Sequence, residues 1–277
     1  MLLMSLATRA NVFVMKFFRG LIRPTVLLPV AGFAGVIAIW WVIALFRHEM
    51  MPTPPEALAK NLDFILHPFY HRGPGDIGLG WLLLASLRRV LIGFSLGAIV
   101  AIPLGVWIGL SHHAWLALNP IIQVFKPVSP LVWLPIALAI FNAAEPSAIF
   151  VIFITSLWST IINTAEGVSN VPKDYLEVAQ VLEMPRWKQL IKVVLPASLP
   201  YIFTGLRISL GIAWLVIVAV EMLTGGIGIG FFVWDEWNRL NVSSVFLAVF
   251  VIGVTGLILD YALARLQILV THRPARS

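Results

Sequence analysis

Pro172-Lys-Asp-Tyr-Leu-Glu-Val-Ala-Gln-Val-Leu-Glu-Met-Pro185 and the following Arg186-Trp-Lys-Gln-Leu-Ile-Lys-Val-Val-Leu-Pro196 form a polar island between long apolar runs. Pro172 suits the first position of a helix, where its missing N–H costs nothing. Asp174 then falls in the first turn, where the helix dipole favours an anion. Tyr175, Val178, Ala179 and Leu182 recur at helical spacing and predict one apolar face. Pro185 opens a second helix over 186–194, which Pro196 is expected to end, with Met184-Pro185 making the turn between the two. An apolar helical face outside a membrane fits either a groove in another protein or the lipid surface.

The rest of the chain explains why a membrane is involved. Of 277 residues, 60% are hydrophobic and 12% charged, whereas soluble domains carry about 25% charged residues. So few charges cannot cover a water-facing surface. The chain has no cysteine, which excludes disulfides and thiolate metal sites. The net charge of +6 is spread over several segments, which argues against nucleic-acid binding and for an excess of basic residues in cytoplasmic loops.

Runs of roughly 20 apolar residues mark membrane spans. Six are expected, at 25–46, 90–110, 116–141, 146–165, 199–220 and 243–261, giving an all-α membrane protein. The tail before the first span carries Arg9, Lys16, Arg19 and Arg23 and is not read as a cleaved signal peptide. The segment after the fourth span carries Lys173, Arg186, Lys188 and Lys192, and the C-terminal end carries Arg265, Arg273 and Arg276. All three lie on one side of a six-span arrangement, expected to be cytoplasmic. Arg88 and Arg89 run against that rule. The expected organisation is a tail at 1–24, a first helix at 25–46, an external loop at 47–80 with a short amphipathic helix at 56–66, a core at 81–270 with the segment 166–196 between spans, and a tail at 271–277.

Within the spans, Pro120, Pro127, Pro130 and Pro135 interrupt the third. Such kinks survive where neighbouring helices or water satisfy the freed carbonyls, so this span either lines a path or packs as a kinked helix. Lys126 and Arg207 are charges inside predicted spans, and such residues face the bundle interior. Arg207 is expected to meet Glu221 or Glu145 in an ion pair or to line a path, and Lys126 to line it or snorkel to the surface. Gly93, Gly97, Ala101, Gly105 and Gly109 recur every four residues and predict close packing against another helix. Gly225-Gly-Ile-Gly-Ile-Gly230 follows a membrane helix and lacks a Lys-Ser or Lys-Thr, so it is expected to be an external bend and not a phosphate loop. The pairs His67/His71 and His112/His113 lack a completing carboxylate for a metal site.

Glu177-Val178-Ala179 together with Val194-Leu195-Pro196 resembles the "EAA" loop of bacterial ABC-importer permeases. Leu199-Pro-Tyr-Ile-Phe-Thr-Gly-Leu-Arg-Ile-Ser-Leu-Gly211, Val218-Ala-Val-Glu-Met-Leu223 and Trp133-Leu-Pro135 with Phe141 and Glu145 are similar to the nitrate, sulfonate, taurine and bicarbonate branch of that family. The similarity runs from about residue 81 to the C-terminal end. Val178 and Glu183 depart from the family's Ala and Gly, and Asn142 stands near a position where Gly is common.

The resemblance implies a type I ABC-importer permease architecture with a cytoplasmic coupling helix, in a bacterial, cyanobacterial, inner membrane. Asp174, Tyr175, Leu176, Glu177, Val178, Ala179, Leu182, Glu183, Met184 and Pro185 would dock the ATP-binding subunit. Lys126, Trp133, Asn142, Arg207 and Glu221 are candidates for the translocation path. It further implies a homodimer of permease chains, two cytoplasmic ATP-binding subunits carrying the ATP and magnesium, and a periplasmic solute-binding protein. The chain itself would bind no cofactor and catalyse no reaction. The expected cargo is a small inorganic anion, nitrate or nitrite first, with bicarbonate, cyanate and sulfonate or taurine as alternatives; the alternative from a different class is an ATP-independent membrane carrier or a membrane enzyme.

Overall fold

A computed structural model describes residues 24–47, 51–73 and 76–271. The basic residues of the first tail and those beyond 271 lie outside the described residues. The helices are α1 (Pro24–Phe46), α2 (Pro54–Lys60), α3 (Leu62–Leu66), α4 (Leu79–Leu110), α5 (His112–Phe125), α6 (Pro130–Phe141), α7 (Ala144–Ser169), α8 (Lys173–Val181), α9 (Arg186–Gln189), α10 (Leu195–Thr224), α11 (Ile229–Asn238) and α12 (Val242–Val270). A small antiparallel hairpin of β1 (His71–Gly73) and β2 (Asp76–Ile77), absent from the sequence expectation, precedes α4.

The chain divides into two compact units. One holds the residues up to Leu62 together with Val242–Ser244. In it, α1 carries exposed apolar side chains from Leu27 to Phe46, as a helix in lipid does. Trp40 Nε1 donates to the Pro52 carbonyl at 3.1 Å. Asn61 is fully buried, donates to Ala57 O at 2.7 Å and accepts from Ser244 Oγ at 2.7 Å.

The other unit, 63–241 with 245–277, is built on α4 and α7. The small residues of α4 do what their spacing predicts. A Cβ at Gly93 would fall 2.7 Å from Ile152, one at Gly97 2.1 Å from Ser156 Oγ, one at Gly105 2.6 Å from Thr164, and one at Gly109 2.7 Å from Val168. Both sets of numbers rise together, so α4 and α7 run parallel, in backbone contact. A parallel pair demands that the chain between them return across the membrane. The third predicted span does so as two helices, α5 and α6, bent by 94° at 126–129. Phe125 stacks on Trp158 near the middle of α7, and Phe141 packs against Phe150 nearer its start. Since α4 ends beside Val168 and α7 begins at Ala144, the pair carries the chain back along α7 as one broken crossing. The single kinked helix expected over 116–141 is replaced by this corner, because Pro127 cannot donate the bond that would continue α5, while Pro130 takes the first position of α6, where none is needed.

α10 runs antiparallel to α7, since Ser209 meets Ser156 and Thr160 while Gly167 abuts Tyr201. α12 runs antiparallel to α10, with Trp214 Nε1 donating to Ile252 O at 3.0 Å. Five crossings result in this unit, and α1 is long and apolar enough for a sixth. Several helices outrun their predicted ends. α4 begins at Leu79 and not near Val90, and α12 continues to Val270.

Pro196 does not end the second helix of the polar island. The run from Arg186 to Thr224 is continuous over 39 residues. A π turn, Leu190–Val194, widens it just before the proline, and the Leu195 N–H donates five residues back to Leu190 O. The wider turn absorbs the missing N–H and the ring of Pro196 without breaking the helix.

Candidate coupling segment and charged clasp

α8 follows Pro172 and sits at the end of the unit where α4 and α7 finish. Leu176 packs with the cluster formed by Val106, Val168, Val171 and Val194. Ala179 is 1% exposed. It therefore belongs to the inner side of the helix and not, as its spacing suggested, to the free apolar face. That face consists of Tyr175, Val178, Val181 and Leu182, all more than half exposed, and is extended by exposed Trp187. Val181 and Trp187 were not singled out from sequence, although Val181 lies one turn past Val178. A groove of about 480 Å³ borders α8, lined by Tyr175, Val178, Lys192, Pro196, Val270 and Thr271.

α8 ends in a Schellman turn. The Met184 N–H donates to Ala179 O at 3.0 Å and the Glu183 N–H to Gln180 O at 2.8 Å. This turn requires a left-handed residue, normally glycine, and Glu183 supplies it at φ 48°. The reversal is thus made at Glu183, with Met184-Pro185 following it. Asn142, at φ 50°, similarly ends α6 in a conformation that Asn tolerates.

At the opposite end of the unit, charges gather around Glu221 of α10, which is 2% exposed. Arg89 Nη1 donates to Glu221 Oε1 at 2.8 Å and to the Ile227 carbonyl at 2.6 Å. Ser86 Oγ and the Gly230 N–H donate to Oε2 at 2.8 and 3.0 Å. The Ile229 N–H donates to Ser86 Oγ at 3.0 Å. Glu145 of α7 pairs with Arg88 and lies 4.0 Å from Arg89 Nη2. α4, α7, α10 and the glycine bend are thereby fastened together. Glycine is required in that bend: a Cβ at Gly228 would lie 2.2 Å from the Glu221 carboxyl carbon, and one at Gly230 2.1 Å from Val218 O. Gly225 and Gly226 turn the chain at φ 75° and 94°.

The clasp accounts for the two arginines that break the charge rule, because both are paired with carboxylates. It also removes Glu221 from any exposed lining. Arg207 does not meet Glu221 or Glu145. Its Nε and Nη2 donate to Asp260 of α12 at 2.8 and 2.7 Å. Lys126 follows the last residue of α5 at the corner, exposed. Trp133 packs its ring 5.9 Å from Phe125. The five path candidates therefore fall at four places and form no single site. Ser86, Arg89 and Asp260 were missed. Arg89 stood out in the sequence only as an exception to the charge rule, and Ser86 and Asp260 carry no sequence signal of their partners.

Outside the spans, Asp63 accepts from Arg72 and lies 3.2 Å from His67. The Arg72 hydrogen bond holds its carboxyl below the usual carboxylate range. Burial, with Asp76 beside it, pushes the Tyr70 hydroxyl up to about 12. Among the described residues no three His, Cys, Asp or Glu side chains gather as a metal set.

Residues 101–271 match the family described as binding-protein-dependent transport system inner membrane component. The chain is 46% identical over 247 residues to the nitrate import permease protein NrtB of Synechocystis sp., covering 89% of this chain and 90% of that one. It is 47% identical over 245 residues to the bicarbonate transport system permease protein CmpB of Synechococcus elongatus, covering 87% and 88%. A chain of the MetNI methionine ABC transporter, in an inward-facing conformation, shares the fold at a TM-score of 0.62 and 16% identity, covering 70% of this chain and 98% of that one. The chain belongs to the family of inner membrane components of binding-protein-dependent transport systems.

Proposed function

We propose that this chain is the membrane-spanning permease subunit of an ATP-driven importer of a small anion, with nitrate as the cargo. The observation that carries the coupling role is the free face of Tyr175, Val178, Val181 and Leu182 on a helix braced against the bundle through Leu176 and Ala179. Four apolar side chains held in water by a short rigid helix suit the groove of a partner. The partner is an ATP-binding subunit, two of which would supply ATP and magnesium to a pair of permease chains. Lys173, Arg186, Lys188 and Lys192 around α8 and α9 favour a cytoplasmic location for that end. The clasp end then faces the periplasm, where a solute-binding protein would deliver the anion. Lys126 and Trp133, at the corner of the broken crossing, are the candidates for contact with the moving anion, with Asn142 at its outer end.

The nitrate assignment rests on the relative named as a nitrate permease. The bicarbonate-named relative, equally similar, supports bicarbonate as the second reading. Uptake of labelled nitrate and labelled bicarbonate in cells lacking their own importers, complemented with this chain and its neighbouring genes, decides between them. Uptake of nitrate that bicarbonate does not inhibit supports the first. Uptake of neither anion rejects both.

A further inference from the structure

The groove beside α8 lies at a defined depth. On α4 the stretch from Arg89 to Leu110 holds no charge after the arginine and is about 30 Å long at about 1.5 Å per residue. On α7 the stretch between Glu145 and Glu166 has the same length and is equally free of charge. Both match the hydrocarbon thickness of about 30 Å, outside which a headgroup band of about 5–8 Å follows on each side. An added Cβ at Gly167, next to Glu166, would fall 2.5 Å from Tyr201 of α10, so Tyr201 marks the edge of the apolar layer. Leu199 and Pro200, which line the groove, stand at that edge.

α12 gives the same depth independently. Asp260 pairs with Arg207, which is about 9 Å inside the level of Tyr201. Val270 lies about 15 Å from Asp260 in the outward direction. Val270 and Thr271, on the groove wall, therefore stand about 6 Å outside the apolar layer, among the headgroups.

The lining is graded along that axis. Its inner end is apolar, at Leu199 and Pro200, and its outer end carries Tyr175, Thr271 and Lys192. No Asp or Glu lines the groove, and among the described residues Lys192 pairs with no carboxylate. The flexible stem of Lys192 lets its ammonium reach the headgroup band.

We propose that the groove holds one anionic phospholipid, its phosphate on Lys192 and its acyl chains passing Leu199 and Pro200 into the layer. An unpaired ammonium above an apolar slot at headgroup depth is complementary to a molecule that is anionic at one end and hydrocarbon at the other. The ATP-binding subunit is a poorer match, because Val181 and Leu182 of the free α8 face do not line the groove, whose other walls are α10 and α12. The lipid site depends neither on the cargo nor on the partner subunits.

The test is native mass spectrometry of the full chain, purified in mild detergent and titrated with phosphatidylglycerol or with phosphatidylcholine of the same acyl chains. One phosphatidylglycerol is expected to bind at a several-fold lower concentration than phosphatidylcholine. Lys192→Gln should abolish that preference. Val270→Trp, which narrows the groove from a half-exposed position, should weaken the binding of both lipids several-fold. Lys60→Gln, an exposed lysine outside the groove, should change nothing. Unfolding midpoints matched to the native chain show that the variants fold. Equal binding of the two lipids, a preference that survives in Lys192→Gln, or undiminished binding in Val270→Trp overturns the proposal. Displacement of the lipid by inorganic phosphate alone overturns it in favour of a free anion. Displacement by the ATP-binding subunits overturns it in favour of that partner. Uptake is measured separately, so the transport function stands or falls on its own assay.

Discussion

Arg89 of α4 and Glu221 of α10 meet at 2.8 Å, although 132 positions separate them in the chain. The carboxylate is buried and its remaining acceptor capacity is filled by Ser86 and the Gly230 N–H. Such a pair contributes little net energy when intact, but breaking it strands a charge, at about 3–5 kcal/mol. Glu221→Gln is expected to lower the thermal unfolding midpoint in detergent. Arg89→Met combined with Glu221→Met is expected to recover most of that loss. A double variant as unstable as the single one would show that the clasp's hydrogen bonds, and not the stranded charge, dominate.

The two sides of α8 should respond differently to a carboxylate. Val178→Asp places the charge in water, so the chain should insert and fold normally while co-purification of the ATP-binding subunit falls at least several-fold. Ala179→Asp buries an unpaired carboxylate beneath the helix, which costs several kcal/mol and should destabilise the fold itself. Parallel unfolding and co-purification assays separate the two. Equal destabilisation by both would place Val178 in the core.

Glu183 occupies the left-handed position of the Schellman turn at φ 48°, a conformation that costs a non-glycine residue roughly 1–2 kcal/mol. Glu183→Gly relieves that strain but gives the unfolded chain more freedom, which offsets part of the gain. The expected net is stabilisation of about 1 kcal/mol at most, read as slower proteolysis of the α8–α9 turn. Faster cleavage there would mean that the carboxylate itself supports the turn.

Acidification should loosen the loop before α4. The Arg72 hydrogen bond lowers the Asp63 pKa below its ordinary value of 3.8. The stabilisation is therefore present above that ordinary value and is lost as pH falls through the lowered one. Protection factors in residues 63–73, each referred to the intrinsic exchange rate at the same pH, are expected to be constant near neutral pH and to fall in strong acid. In Asp63→Asn that acid step should vanish.

Much of this was legible in sequence, for reasons that differ by element. The glycine run of α4 spoke clearly because only a close helix neighbour makes bare positions useful at every fourth residue, and α7 is that neighbour. The apolar face of α8 was visible in outline. Ala179 was misplaced because alanine is apolar on either side of a helix, and burial, not periodicity, decides which side it takes. The corner at 126–129 was legible as prolines but not as an angle, since the direction of the next helix depends on packing along α7. Pairings such as Arg207 with Asp260 and Arg89 with Glu221 join residues distant in the chain. A list of charges names the partners available and leaves the choice to topology.

The π turn at Leu190–Val194 has a mechanical consequence. By carrying the helix past Pro196, it turns the stretch from Arg186 to Thr224 into one rod, about 58 Å long at about 1.5 Å per residue. A rod pivots where a jointed arm would fold. A tug on Trp187 at one tip therefore enters an unbroken helix whose other tip lies at the bend of Gly225 and Gly226.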